Sequence, residues 1–443
     1  MNGKPGSVHN SLRSRVAGAY DHLFLKLPLQ YRFDLFILFT IPSSMNPSQS
    51  STLPVISTSD TIRLESKLPA VGTTIFTVMS NLAAEKKAVN LGQGFPDFGC
   101  DPALIDMVNA AMKDGLNQYP PMAGAAPLRA AISAKIDSLY GHRYHADSEI
   151  TITAGATQAI FTTIQCCVHA GDEVLIIEPA FDCYVPAIRL AGGVPVFVRM
   201  DIGVDGYSVP WHKVAAAITP KTRLIIINTP HNPSGSTLQE ADMLALADIV
   251  RGTDILILAD EVYEHMVYDG ALHESVCRYP DLAMRSFLVS SFGKTYHVTG
   301  WKVGFVAAPA ALTAEFRKVH QFNVFTVNTP MQHGIAAYMA NPAPYRELSA
   351  FYERKRNLFR AGLAKTRLKL LPSQGTYFQC VDYSAISDLP EAEFAKWLTA
   401  EIGVAAIPVS AFYDQPKESG IVRFCFAKKD ETLELALNRL KGI

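Results

Sequence analysis

The sequence has almost no net charge of either sign. Its 443 residues include 40 lysines and arginines against 41 aspartates and glutamates, which leaves a formal net charge of −1. Proteins that bind nucleic acid or anionic membranes by general electrostatic attraction usually carry a clear basic excess. The charge balance therefore predicts neither nucleic acid nor a membrane as a partner.

Long hydrophobic runs are scarce as well. An apolar run at residues 35–41 is too short to cross a bilayer, and Arg32 and Asp34 interrupt its approach. The N-terminus also lacks the order of charged, apolar and small residues that is typical of a secretory signal. We therefore expect neither a membrane-spanning helix nor a secretory signal.

The cysteines and the potential metal ligands exclude two further classes. The seven cysteines are an odd set without a CxxC pair, which fits reduced thiols in a cytoplasmic enzyme better than a disulfide framework. No group of histidine, cysteine and carboxylate residues has zinc-finger or HExxH spacing. The sequence predicts a cytoplasmic protein without a metal site.

The chain is longer than a single hydrophobic core usually supports. With 443 residues, of which 49% are apolar, we expect about two or three domains. Residues 43–59 are rich in serine, proline and threonine, so residues 1–58 are expected to form a flexible N-terminal extension. Met45 is a candidate for the physiological start.

From Glu149 onward, short apolar runs alternate with helical segments such as residues 156–170 and 238–250. This alternation predicts an α/β fold with a mainly parallel sheet. Four runs end in polar clusters, in the segments VLIIEPAFDCY, LIIINTPHNPSG, ILILADEVY and SFLVSSFGK. Because ligands bind beyond the carboxyl ends of the strands in open α/β sheets, we expect these clusters to converge.

The pattern changes after residue 325. A long amphipathic helix is expected over residues 344–365, followed by strand-like runs at residues 377–381 and 422–426. We interpret this part as a second, smaller α+β domain.

Lys294 lies in SFGKTYHVTGWKVG, with Ser291 before it and Lys302 eight positions after it. A lysine whose ammonium is poorly solvated loses its proton easily, and the free amine can form a Schiff base with an aldehyde cofactor. A hydroxyl and a second cation nearby suit the phosphate of such a cofactor. An ordinary surface lysine at a strand end is the alternative.

Two further charged residues lie in apolar runs. Asp260 ends ILILAD, where a carboxylate is costly to bury unless it meets a cation or a donor, although it could also cap the next turn. Arg423 lies in the alternating strand IVRFCFA, where it is either a surface residue of an edge strand or a buried cation. A buried guanidinium needs an anion, and the α-carboxylate of an amino acid fits it in a bidentate manner.

The stretch around Lys294, taken with the other three polar clusters, resembles the pyridoxal-phosphate-dependent aminotransferases of class I/II and fold type I. Within that family it is most similar to the methionine, kynurenine and glutamine–phenylpyruvate branch. The resemblance extends from about Lys67 to the C-terminus. It implies an N-terminal arm that joins the small domain (residues 59–95), a large cofactor-binding domain with a mostly parallel seven-stranded sheet (96–325) and a small C-terminal domain (326–443).

The resemblance also implies an activity and a cofactor. The protein is expected to move the amino group of an L-amino acid to a 2-oxo acid by a ping-pong mechanism with pyridoxal 5′-phosphate. Methionine, aromatic amino acids, kynurenine and glutamine all stay open as donors, and the 2-oxo acid acceptor stays open too. A homodimer with shared active sites is expected.

Site residues follow from the resemblance position by position. Lys294 is expected to hold the cofactor and act as base and acid, and Asp260 to pair with the pyridine nitrogen. The other residues expected to bind the cofactor are Asn232 and Tyr263 at its phenolic oxygen, Phe181 on its ring, and Ala156, Thr157, Ser291, Lys302 and the partner subunit's Tyr119 at its phosphate. Many family members carry arginine in place of Lys302, so a point charge replaces a bidentate fork here.

The residues expected to bind the substrate are Arg423, Asn232 and Gly94 around its carboxylate, and Phe76 and the partner subunit's Phe325 around its side chain. Two alternatives remain. β-Elimination from cysteine S-conjugates begins with the same loss of the Cα proton. A ligand sensor of this fold would need a DNA-binding module, for which the N-terminal extension is too short and not notably basic.

Overall fold

The computed structural model describes residues 64–443, so the expected extension at residues 1–58, the candidate start at Met45 and the first residues of the predicted arm lie outside the described residues. The described strands are β1 Val89–Asn90, β2 Ile150–Thr153, β3 Glu173–Glu178, β4 Val194–Arg199, β5 Asp201–Gly203, β6 Gly206–Ser208, β7 Thr222–Asn228, β8 Leu256–Asp260, β9 Ser286–Ser291, β10 Gly304–Ala307, β11 Lys369–Leu370, β12 Phe378–Asp382, β13 Val404–Ala405, β14 Ile407–Pro408 and β15 Ile421–Cys425. The described α-helices are α1 Ile75–Glu85, α2 Pro102–Lys113, α3 Ala126–Tyr140, α4 Gly155–Cys167, α5 Tyr184–Leu190, α6 Trp211–Ala216, α7 Glu240–Val250, α8 Pro280–Ala283, α9 Phe292–Thr295, α10 Ala310–Asn323, α11 Thr329–Tyr338, α12 Ala343–Arg346, α13 Leu348–Leu363, α14 Glu391–Trp397 and α15 Asp430–Leu440.

Seven of the strands form one sheet in the order β2-β10-β9-β8-β7-β3-β4. Neighbours pair in parallel from β9 through β8, β7 and β3 to β4. Only β10 runs against its two neighbours, β2 and β9. The predicted α/β architecture with a mostly parallel seven-stranded sheet is therefore confirmed.

Hydrophobic cores on both faces explain why the central strands are apolar throughout. In β7, Leu224 and Ile226 face one core cluster, and Ile225 and Ile227 face another. Successive side chains point to opposite faces of a strand, so both sets are buried only when helices cover both sides. The run LIIIN therefore forms an interior strand and not the edge of a half-exposed sheet.

The carboxyl ends of four adjacent strands bring the predicted polar clusters together. β3, β7, β8 and β9 are consecutive in the sheet and parallel. They end at Glu178, Asn228, Asp260 and Ser291, and each polar cluster begins there. The expected convergence of the four clusters at one edge of the sheet is confirmed, because parallel neighbours all end on the same side.

A second, smaller sheet is antiparallel and has the strand order β11-β12-β15-β14. All five residues of β15 are buried, so Arg423 is the buried cation of the two alternatives and not a surface residue of an edge strand. β15 has a strand on either side, and Val422 and Phe424 face a core while Arg423 faces the cavity described below. Both faces of this strand are covered.

The helix expected over residues 344–365 is two helices, α12 and α13, which meet at Glu347. The backbone N–H of Glu347 bonds to Ala343 and closes the first helix, and the longer helix begins one residue later.

The division into domains stays a prediction, and packing favours a different boundary from the expected one. Met79 and Leu91 share a core with β12 and β15, as expected for residues before 95. In contrast, Ile335 and Tyr338 of α11 belong to the core of the large sheet, and Leu348 belongs to the core of the small one. A boundary near residue 347 fits this packing better than one at residue 325.

No helix within residues 64–443 is long and apolar enough to cross a membrane. In the same part of the chain, histidine, cysteine and carboxylate side chains form no group that could hold a metal ion.

Candidate active site

A cavity of about 330 Å³ opens at the carboxyl edge of the large sheet, where the small sheet faces it. The predicted site residues in its wall are Phe76, Gly94, Ala156, Thr157, Phe181, Asn232, Asp260, Tyr263, Ser291, Lys294, Lys302 and Arg423. The volume lies at the lower end of the range for small-molecule sites. Residues more than 300 positions apart in sequence thus share one pocket.

Lys294 lies in the short helix α9, directly after β9, and its amine reaches into the cavity wall. Burial lowers the pKa of Lys294 from 10.5 to about 8, because an ammonium is poorly solvated there. Nζ donates hydrogen bonds to Tyr377 Oη at 2.9 Å and to the Gly94 carbonyl oxygen at 3.3 Å. A substantial fraction of such an amine is neutral, and hence nucleophilic and basic, near physiological pH.

Asp260 is the last residue of β8 and is buried. Its Oδ2 accepts a hydrogen bond from Tyr184 Oη at 2.6 Å, and its Oδ1 accepts one from the Val262 backbone at 3.4 Å. Burial still raises the pKa of Asp260 to about 6, so these donors do not fully replace water. A cationic group in the cavity would stabilise the carboxylate form.

The N-terminus of α4 and Lys302 form the anion-binding end of the cavity. Gly155 begins the helix with φ +75°, a conformation that favours glycine, and Ala156 and Thr157 follow in the first turn. The Lys302 ammonium lies 3.6 Å from where a Cβ on Gly155 would be. A cation at the positive end of a helix dipole is unfavourable by itself, so the arrangement fits an anion held between them.

Arg423 is a buried cation whose hydrogen-bond partners among the described residues are uncharged. It is 1% exposed, donates through Nη1 to Asn232 Oδ1 at 2.6 Å and through Nη2 to the Gly92 carbonyl at 3.1 Å, and leaves buried Nε without a partner. No ion pair joins it to a carboxylate within residues 64–443. Its guanidinium carbon lies 3.9 Å from the centre of the Phe378 ring. A buried guanidinium with unsaturated donors fits an incoming carboxylate.

Aromatic and acidic side chains complete the wall near Arg423. The centre of the Phe76 ring lies 5.6 Å from the guanidinium carbon of Arg423, and Phe181, which follows β3, also lines the cavity. Asp182 also lines the cavity, and burial raises its pKa although Arg423 acts against the shift.

Two predicted residues do not reach this cavity. Tyr119 is 82% exposed, Phe325 is 41% exposed, and their rings pack edge to face at 5.4 Å on the surface. The chain therefore does not bring them to its own site. Their expected contribution to the site of a partner subunit stays a prediction.

Sequence reasoning missed four side chains that order the site. Tyr377 contacts Lys294, and Tyr184 contacts Asp260. Asn228 bonds to the backbone of both Asp260 and Asn232, at 2.8 Å each. Asp182 lines the cavity. Asn228, Asp182 and Tyr184 lie in the polar clusters after β7 and β3, so a systematic reading of those clusters could have found them.

Comparison with known proteins agrees with this geometry. The family model for "Aminotransferase class I and II" matches residues 86–440. The chain is 48% identical over 380 residues to methionine aminotransferase of Escherichia coli strain K12, covering 86% of this chain and 98% of that protein. It is 34% identical over 415 residues to kynurenine–oxoglutarate transaminase 1 of Rattus norvegicus, covering 86% and 98%. A crystal structure from Escherichia coli described as having a methionine aminotransferase function superimposes with a TM-score of 0.85 at 47% identity, covering 86% of this chain and all of that one.

Proposed function

This chain belongs to the family of class I and II aminotransferases, and we propose that its preferred amino donor is methionine or another L-amino acid with a large uncharged side chain, such as an aromatic amino acid or kynurenine. The activity itself, transfer of an amino group from an amino acid to a 2-oxo acid with pyridoxal 5′-phosphate, follows from the family. The names of the relatives support the choice of donor.

One observation carries the assignment of the site: a cavity wall holds a weakly basic amine, a buried carboxylate and a buried cation without a carboxylate partner. These are Lys294, Asp260 and Arg423. Burying each of these groups without a partner is unfavourable. Lys294 would be matched by an electrophilic carbon, Asp260 by a basic ring nitrogen and Arg423 by a carboxylate of the bound ligands.

The residues fit the cofactor at four points. Asp260 would hold its pyridine nitrogen, because a buried carboxylate with a raised pKa gains from a cation. Lys302, Ser291 and the first turn of α4 would hold its phosphate. Phe181 would contact the ring, and Asn232 and Tyr263 the phenolic oxygen. When bound, pyridoxal 5′-phosphate supplies an aldehyde that combines with amines and a ring that accepts the electron pair released at the substrate Cα.

Lys294 would move the proton. Its Nζ would accept the proton from the substrate Cα as a base and would then release it as an acid at a different carbon, which requires a pKa near the working pH. Burial provides that pKa, about 8.

Arg423 would bind the α-carboxylate of the substrate. The substrate carboxylate would meet the guanidinium together with Asn232 and with Gly94 beside Phe378. This ion pair would orient Cα toward Lys294, since the two cations line the same cavity.

Asp182 and Phe76 would select the substrate side chain. Two carboxylates line the cavity among the described residues. Asp260 accepts a hydrogen bond from Tyr184, and Asp182 lies close enough to Arg423 for the positive charge to act on its pKa. A second carboxylate at this position repels acidic side chains, and Phe76 favours apolar ones. Both effects favour amino donors with large uncharged side chains.

A panel of amino donors with several 2-oxo acids tests the proposal. We expect methionine, phenylalanine or kynurenine to give much higher kcat/KM than aspartate or glutamate. In parallel, borohydride should trap a cofactor adduct on the peptide containing Lys294 in the wild-type protein and in Lys318→Ala, an exposed control lysine, but not in Lys294→Ala. Equal rates with glutamate and methionine would contradict the donor assignment, and an adduct elsewhere would contradict the site.

The lyase alternative receives no support from the relatives reported above. It predicts pyruvate from a cysteine S-conjugate without an added 2-oxo acid. We expect no more pyruvate than a single turnover of each active site could give.

We propose in addition a homodimer in the cytoplasm, in which the partner subunit's Tyr119 and the partner subunit's Phe325 complete each site. Their joint exposure on one surface supports this arrangement. Mixing Lys294→Ala and Tyr119→Ala subunits should restore about a quarter of wild-type activity, because half of the dimers are hybrids with one intact site. Additive residual activities would contradict shared sites.

A further inference from the structure

The amine of Lys294 contacts Tyr377, a residue that does not line the cavity. Tyr377 Oη lies 2.9 Å from Lys294 Nζ, and the Tyr377 side chain is fully buried. Its ring is fixed edge to face against Tyr263, with 5.2 Å between ring centres, and against Phe378, at 4.9 Å. Tyr377 therefore approaches the site through Lys294 and does not face the cavity space that a substrate would fill.

The hydroxyl proton of Tyr377 is committed to another partner. Tyr377 Oη donates to the Gly94 carbonyl oxygen at 2.5 Å. Burial raises the pKa of Tyr377 well above its ordinary value, so the hydroxyl keeps this proton. Toward Lys294 it consequently presents a lone pair, and it can only accept a hydrogen bond from the amine.

Lys294 thus meets two acceptors on one side, Tyr377 Oη at 2.9 Å and the Gly94 carbonyl at 3.3 Å. A neutral primary amine has two N–H bonds and one lone pair. When both N–H bonds are directed at the two acceptors, the lone pair points away from them and into the cavity.

We propose that Tyr377 is a positioning residue that orients the lone pair of Lys294 Nζ toward the substrate Cα. This inference rests on the proposed role of Lys294. A proton that leaves Cα adds to the lone pair and makes an ammonium with three N–H bonds. The two original N–H bonds stay with Tyr377 and Gly94, so the proton from Cα is the one that faces the cavity and is passed on. Bonds from an ammonium are stronger than those from an amine, so the pair also stabilises the protonated form.

Tyr377→Phe removes the oxygen and keeps the ring. Tyr352→Phe is the matched control: the Tyr352 ring lies 5.7 Å from that of Tyr377, and its buried hydroxyl has no hydrogen-bond partner in the part of the chain that the structure describes. In Tyr377→Phe we expect kcat to fall about 10-fold with KM changed by less than about 2-fold. With Cα-deuterated methionine, the isotope effect on kcat should rise because proton transfer becomes more limiting. Tyr352→Phe should match the wild type in both.

A second measurement does not depend on turnover. In the cofactor-free protein, the pH dependence of labelling of Lys294 by a small amine reagent, read on the Lys294 peptide by mass spectrometry, gives the midpoint of its titration. We expect a lower midpoint in Tyr377→Phe than in the wild type and Tyr352→Phe, because the ammonium has lost an acceptor.

A Tyr377→Phe protein with the wild-type isotope effect and the wild-type labelling midpoint would overturn the proposal even if its kcat had fallen, since loosened packing alone can lower kcat. Failure of the underlying function is distinguishable. In that case the wild-type protein itself would show neither transamination nor a borohydride-trapped adduct at Lys294.

Discussion

Replacing Arg423 by methionine should separate function from stability. Arg423 is 1% exposed, and within residues 64–443 its guanidinium bonds only to neutral oxygens of Asn232 and Gly92 and leaves Nε without a partner. A buried ion without a counter-charge costs several kcal/mol of stability. Its removal leaves two weakened acceptors, at about 1 to 3 kcal/mol each. The two effects are of similar size and opposite sign, so the free energy of unfolding should change little or rise.

Substrate binding should respond in the opposite way. Loss of a desolvated partner of the α-carboxylate costs about 2 to 5 kcal/mol, which corresponds to at least about a 30-fold rise in KM for methionine. We expect bound cofactor to be retained, because its predicted phosphate contacts involve other residues. Steady-state kinetics and thermal unfolding of the same preparation measure both effects.

Arg356 provides the matched control. It is also buried, at 5% exposure, but its guanidinium pairs with Asp269 through two bonds of 2.6 Å and lies over Tyr268. Arg356→Met should therefore lower the melting temperature and leave KM nearly unchanged. If Arg423→Met instead unfolds at a clearly lower temperature with an unaltered KM, the guanidinium is a structural group and the reasoning is refuted.

Four further outcomes are expected. Lys294→Ala should abolish transamination while cofactor still binds through its phosphate, as absorbance after gel filtration can show; turnover above background would exclude Lys294 as the base. Asp260→Asn should lower kcat much more than cofactor retention, and a fully active variant would mean that another group holds the ring nitrogen. Asp182→Asn should raise kcat/KM for glutamate relative to methionine, whereas an unchanged ratio would remove Asp182 from substrate selection. Burial lowers the pKa of Lys294 from 10.5 to about 8, so between pH 8 and pH 10 the folded cofactor-free protein has released a proton that the unfolded chain still holds. Over that interval the free energy of unfolding should therefore rise by roughly 2 kcal/mol relative to that of Lys294→Met. A constant difference between the two proteins would contradict the lowered pKa.

Local patterns were sufficient to predict the large sheet. The runs that became β3, β7, β8 and β9 contain the uninterrupted apolar segments VLII, LIII, LILA and FLV. Such segments are typical of strands that are buried on both faces. For Arg423 the local pattern left two alternatives open, because one polar side chain in an apolar run is also what an edge strand shows. Only the packing of β15 between two strands shows that Arg423 is buried.

The site was predictable where a residue and its signal lie in the same loop. Lys294, Asp260 and Asn232 each follow directly from a strand end. Tyr377 carries no such signal, since it precedes β12 in a segment 83 residues after Lys294. The boundary of the small domain stays a prediction, because the amphipathic pattern of α11 does not indicate which core its apolar face contacts.

The sequence by itself determined which chemical groups stand at the ends of the strands, because strand ends and the side chains that follow them are fixed by local patterns of a few residues. The tertiary structure alone decided which of those groups touch. Tyr184 reaches Asp260 across 76 positions, and Arg423 reaches Asn232 across 191. Contacts of this kind depend on how distant parts of the chain pack against each other. Burial in the same region lowers the pKa of Lys294, and among the described residues Arg423 has no ion-pair partner there.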